Sequence, residues 1–161
     1  MLGGRVAGML GRRLAGRQLR ASSRRRRPSP GTGTGTDGID YAPRDDGRPD
    51  PGEIVWTWVA YEDDPAKGKD RPVLLVGRDG DRLLGLMLTS KDHDRDAADE
   101  ARQHRHWVDI GSGDWDTQRR PSEVRVDRLL RLDAASVRRE GATLDRDRFD
   151  EVVVAMRAHP R

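Results

Sequence analysis

Cysteine is absent from the 161 residues, which excludes disulfides and thiolate metal sites and suits a cytoplasmic protein. Long apolar runs are missing as well. No stretch approaches the roughly 18 to 20 apolar residues needed to span a bilayer, so no membrane segment is expected. The N-terminal "MLGGRVAGMLGRRLAGRQLR" has arginines in every apolar stretch and no apolar core of about 7 to 15 residues, so it reads as non-secretory. Acid is missing from the first 36 residues, which carry nine arginines, while the remaining 125 hold 22 basic against 28 acidic side chains. The sequence pI of about 9.8 is therefore set by the tail and gives no evidence that the rest of the chain binds nucleic acid.

What is present divides into a tail and a domain. Residues 1–50 read as a basic, disordered tail and linker. Ser22 to Gly38, "SSRRRRPSPGTGTGTDG", offers no apolar side chain to bury. Residues 51–161 carry the patterning of a fold. "EIVWTWVA" alternates Ile54, Trp56, Trp58 and Ala60 with Val55, Thr57 and Val59, the period of a strand covered on both faces. "PVLLVG" and "RLLGLMLTS" follow, joined through Asp79-Gly80, a strong hairpin signal. Lys91 to Arg105 is too polar for a core element and reads as a long loop or exposed helical turn. "HWVDI" and "SEVRVDRLLRL" return to strand alternation. Asp133 is placed to cap a short helix through Arg139 that stops at Gly141. Asp145 is placed to cap a second, whose Phe149, Val152, Val153 and Met156 form one apolar stripe. The expectation is a twisted antiparallel sheet or small barrel of about five strands, closed by a C-terminal helix.

Several chemistries find little support. His93, His104 and His106 lie among acids in the polar loop, but their spacing matches no rigid ligand set apart from the pair His104 and His106, so no metal is expected. "GTGTGT" has no preceding strand and no following helix to organise a phosphate cradle. No G-x-S-x-G occurs. Trp56 and Trp58 read as core or interface residues rather than base-stacking platforms.

A metal-free phosphate site remains. Arg71 precedes Pro72, which biases the arginine toward an extended conformation at the start of a strand, while Thr89 and Ser90 end the next strand. Antiparallel pairing brings the start of one strand beside the end of the other. A guanidinium there presents a planar fork to phosphate oxygens, and a hydroxyl can bond the same group. On pattern alone the plainer reading is the commoner one: an arginine and a threonine that merely flank strands.

The blocks "PGEIVWTW", "DDPAKGKDRPVLLVGR", "LLGLMLTSKD", "SEVRVDRLLRLD" and "GATLDRDRF", in this order from about Pro51 to Arg157, resemble the MazF/PemK family of type II toxins. The resemblance implies a mainly β, SH3-like barrel with a C-terminal helix, usually a homodimer. It implies a cytoplasmic endoribonuclease that cuts single-stranded RNA without a metal or other cofactor, leaves a 2′,3′-cyclic phosphate and is inhibited by a cognate antitoxin. The family's catalytic arginine and threonine correspond to Arg71 and Thr89, and Ser90 matches the next position. Ala66 to Asp70 corresponds to a groove loop that is longer in the family. RNA would meet a rim of Lys67, Lys69, Ser90 and Lys91. Two alternatives stand beside this reading: a catalytically inactive SH3-like binding module, and a toxin resembling the gyrase poisons.

Overall fold

The computed structural model describes residues 38–92 and 97–160. The basic segment through residue 37 lies outside the described residues, as does His93. Among the described residues seven strands form: β1 (Glu53–Ala60), β2 (Gly68–Asp79), β3 (Arg82–Thr89), β4 (Trp107–Gly111), β5 (Ser122–Arg125), β6 (Leu130–Asp133) and β7 (Arg138–Thr143). Two helices accompany them, α1 (Ala97–Arg102) between β3 and β4, and α2 (Arg146–Ala158) at the end. The strands make one curled antiparallel sheet in the order β4-β5-β3-β2-β1-β7, with β6 pairing β3. The fold is mainly β and barrel-like with a C-terminal helix, as expected.

Alternation along the strands gives this sheet two apolar faces. Ile54, Leu74, Leu86 and Leu88 point to one face, where Phe149, Val152 and Val153 of α2 cover them. Val55, Val59, Val73, Leu75 and Met87 point to the other, packed by Trp107, Leu132 and Val137. Asp145 caps α2 by accepting from the Arg148 N–H at 3.0 Å. Tyr41 fixes the helix start by donating its hydroxyl to the Leu144 carbonyl at 2.8 Å, and its ring meets Phe149 edge-on. Among the described residues no helix is long and apolar enough to cross a membrane.

The lead-in to β1 packs onto the sheet. The Asp40 N–H donates to Val76 O at 3.0 Å and the Arg78 N–H to Gly38 O at 2.9 Å. Residue 77 must be glycine for this approach, since a Cβ there would lie 2.1 Å from the Gly38 carbonyl oxygen. At the start of β1, the buried Glu53 accepts from the Asp50 N–H at 3.1 Å, while its own N–H donates to Asp50 O. This reciprocal turn explains the acid in "GEIVW".

The sequence and the structure differ in two places that matter here. The helix expected from Asp133 to Arg139 is a single 3-10 turn, Ala134–Ser136, followed by β7. Its cap is real, because Asp133 accepts from the Ala135 N–H at 3.0 Å. Beyond it, however, the chain pairs with β1 and so protects an edge that would otherwise be bare. The count of about five strands rises to seven because "SEVRVDRLLRL" divides into β5 and β6, and β7 replaces the helix.

Candidate active site

The site arises where two ladders separate. β2 pairs with β3 from Val73 opposite Met87 to Asp79 opposite Arg82. Beyond Met87, β3 turns to β5 instead, with Leu88 opposite Val124 and Thr89 opposite Glu123. Gly68 to Pro72 of β2 are left pairing with β1. Had the β2–β3 register continued, Arg71 would face Thr89 directly. The strands diverge, and a cavity of about 290 Å³ opens, lined by both residues. Pro72 fits this break: it stands one residue outside the β2–β3 ladder, where a missing N–H removes no bond to β3. The groove loop also shifts. Residues 68–70, read as loop, belong to β2, and the connection is Tyr61 to Lys67, closed by the Tyr61 N–H bonding to Lys67 O at 2.8 Å.

Arg71 is partly buried and, among the described residues, its side chain has no hydrogen bond or ion pair. Burial lowers its pKa from the ordinary arginine value; Tyr61 opposes this, and the positive charge of Arg128, the smallest of the three effects, lowers it again. The group remains a cation, but one held at an electrostatic cost that an incoming anion would relieve. Thr89 is partly buried, and its hydroxyl oxygen accepts from the Lys91 N–H at 3.2 Å. That bond uses a lone pair, so the hydroxyl hydrogen stays available to a ligand.

The other residues expected at the rim are placed unequally. Lys91 lines the cavity with Arg71 and Thr89. Ser90 is exposed beside Thr89 and lies outside the lining. Lys69 is exposed two residues before Arg71, hence on the same strand face, and Lys67 is exposed with Asp64 3.3 Å away; neither lines the cavity. His106 stacks on His159 with ring centroids 3.7 Å apart, on the side of the fold toward the end of α2. Among the described residues no cluster of three metal ligands occurs.

Sequence reasoning missed the opposite wall. Arg125 on β5 is buried and bonds Asp127 through Nε at 3.1 Å and Nη2 at 2.9 Å, and Glu62 through Nη1 at 2.7 Å. Burial alone would lower the pKa of this guanidinium, but the hydrogen bonds to Asp127 and Glu62 outweigh it and raise the value. Burial alone would likewise raise that of Asp127, but Arg125 and the His106 N–H, 2.8 Å from Oδ1, hold it below the usual carboxylate range. Glu62 belongs to the β1–β2 connection, so this cluster ties that loop to β5. Arg128 adds a second tie, donating from Nη2 to Ala60 O at 3.0 Å. Glu100 of α1 accepts from Trp107 Nε1 at 3.1 Å and lies 3.6 Å from Arg105, which anchors α1 at the cavity. Alternation offered a signal: Glu123, Arg125 and Asp127 share one strand face and alternate in sign. Arginines and Lys91 outnumber acids five to three in the lining, although the chain beyond residue 36 carries an excess of acid.

A family model of PemK-like, MazF-like toxins of type II toxin-antitoxin systems matches residues 50–159. The chain belongs to this family. The matched span holds all seven strands, both helices and the whole cavity lining. No curated protein matches the chain. As a type II toxin it has an antitoxin as its partner. In this PemK-like toxin the arginine and threonine expected to act together do share one cavity.

Proposed function

We propose that this toxin is a metal-independent endoribonuclease that cleaves single-stranded RNA at the cavity between β2 and β3. The observation that carries the reading is the partly buried, unpaired Arg71 guanidinium sharing a cavity with the Thr89 hydroxyl. RNA contains its own nucleophile. When the 2′-hydroxyl loses its proton, its oxygen bonds to the adjacent phosphorus and the bond to the 5′-oxygen of the next nucleotide breaks. That oxygen takes up a proton, leaving a 2′,3′-cyclic phosphate and a 5′-hydroxyl. Negative charge accumulates on the phosphate in the transition state, and a preformed cation that no acid has already neutralised stabilises it most. Arg71 has this role, and Thr89 donates its hydroxyl hydrogen to a non-bridging oxygen. Lys91 draws the strand into the cavity, with Lys67, Lys69 and Ser90 along its approach. The reaction as written needs no metal. Family membership supports the remaining parts of the reading: a homodimer, acting in the cytoplasm and restrained by its antitoxin.

Purified protein incubated with single-stranded RNA in EDTA should yield fragments ending in 2′,3′-cyclic phosphate. Arg71→Ala should slow cleavage by about 10² to 10³-fold, the range for loss of one transition-state donor, and Thr89→Ala should slow it less. Undiminished cleavage by Arg71→Ala would contradict the assignment. Growth arrest with RNA left intact would point instead to a protein target.

A further inference from the structure

Tyr61 is the first residue after β1 and continues its pairing with β2. Its N–H donates to Lys67 O at 2.8 Å, extending the register that sets Thr57 opposite Arg71 and Val59 opposite Lys69. Alternation therefore puts Tyr61 on the face of Val59 and Arg71, and it lines the cavity with Arg71 and Thr89. It also lies near enough to the Arg71 guanidinium to bear on its charge. Aromatic rings contribute most to a fold when buried, yet Tyr61 is 39% exposed. Among the described residues no hydrogen bond or ring contact holds its side chain. The backbone on either side is braced: Ala60 O accepts from Arg128 Nη2 at 3.0 Å, and Glu62 accepts from Arg125 Nη1 at 2.7 Å. Trp58, also exposed, is kept from the site by the same alternation, since it lies opposite Asp70 on the other face of the sheet, with its ring against Gly68.

We propose that Tyr61 is the base-stacking residue of the RNA site, receiving on its ring a nucleobase of the strand whose phosphate Arg71 holds. The inference rests on the endoribonuclease reading and deepens it. Every base offers a π-face, so a ring here adds affinity whatever the base. Only a base free of its own neighbours can reach that ring, because a duplex keeps its bases stacked on one another. The ring thus supplies the selection of single strands over duplex, which a cationic phosphate site alone does not provide.

The test is binding of a short mixed-sequence 2′-O-methyl oligoribonucleotide, which lacks the attacking hydroxyl, to the full chain, together with a set of the same oligonucleotide in which one nucleotide at a time lacks its base. Tyr61→Ala should weaken binding of the intact oligonucleotide about five- to a hundredfold, the range for losing one stacked base. Tyr61→Phe should bind as wild type does. Tyr61→Leu should lose as much as Tyr61→Ala, and it serves as the second variant should Tyr61→Ala fail to fold. In wild type one abasic position should carry a penalty of the same size, and that penalty should vanish in Tyr61→Ala or Tyr61→Leu, an outcome that a purely structural role would not produce. An abasic penalty that persists in full in both variants would overturn the inference. So would a Tyr61→Phe protein as weak as Tyr61→Ala, because the hydroxyl and not the ring would then carry the effect, or a Tyr61→Leu protein as strong as wild type. Failure of wild type to bind the intact oligonucleotide would instead bring down the nuclease reading itself.

Discussion

Arg71 and Arg125 line the same cavity and are held in opposite electrostatic states. Arg125 is almost wholly buried, with two carboxylates and a raised pKa. The Arg71 guanidinium makes no ion pair among the described residues, and its pKa is lowered. The difference follows from strand pairing. Arg125 lies in a segment whose alternate residues supply Asp127 on its own face, and the β1–β2 connection brings Glu62 across. Arg71 lies on the part of β2 that β3 has left, so the neighbour that would have covered it is missing. One arginine therefore braces the wall, and the other is left without a counter-charge, as its proposed role toward an external anion requires. Charge of the same kind, on one surface, is compensated or not according to whether the protein itself supplies the counter-charge.

The largest effect expected from this contrast lies with the brace. Arg125→Ala would take the guanidinium away from the buried Asp127 and from Glu62, and should cost about 3–5 kcal/mol in chemical denaturation. A loss under 1 kcal/mol would mean that the cluster does not brace the fold. A smaller effect concerns acid. Because the folded pKa of Asp127 is depressed, its contribution to stability is complete above the ordinary aspartate value of about 3.9. That contribution is lost as pH falls below this value and through the folded pKa. Thermal midpoints of wild type and Asp127→Asn should therefore lie far apart at neutral pH and converge on acidification. Parallel curves down to pH 2 would remove Asp127 from the account.

Much of this arrangement was legible in the residues, and the exceptions have physical reasons. The hairpin around Asp79-Gly80, paired from Val73 to Met87, and the α2 stripe after a capping Asp145 are encoded locally, and both formed. The same local logic failed at Asp133, where the cap holds one turn before β7 pairs with β1, a partner about 80 residues earlier in the chain. Arg71 and Thr89 could be placed together because antiparallel pairing fixes which ends meet. The divergence of β3 toward β5, which turns that meeting into a cavity, depends on a ladder that no short segment announces. Arg125 escaped notice because a charged residue in an alternating strand usually faces solvent. Here the opposite face is also covered, and its charge is compensated inside.

If Arg71 is kept unpaired for a substrate, the fold bears a cost for it that an apolar side chain would not impose. Arg71→Leu keeps much of the stem's packing and removes the desolvated charge. The decisive measurement is cleavage of single-stranded RNA and thermal midpoint recorded side by side on this variant. The expected result is cleavage reduced by about 10² to 10³-fold with the midpoint raised. Retained cleavage, or activity lost together with stability, would contradict the claim that Arg71 serves the substrate and not the fold.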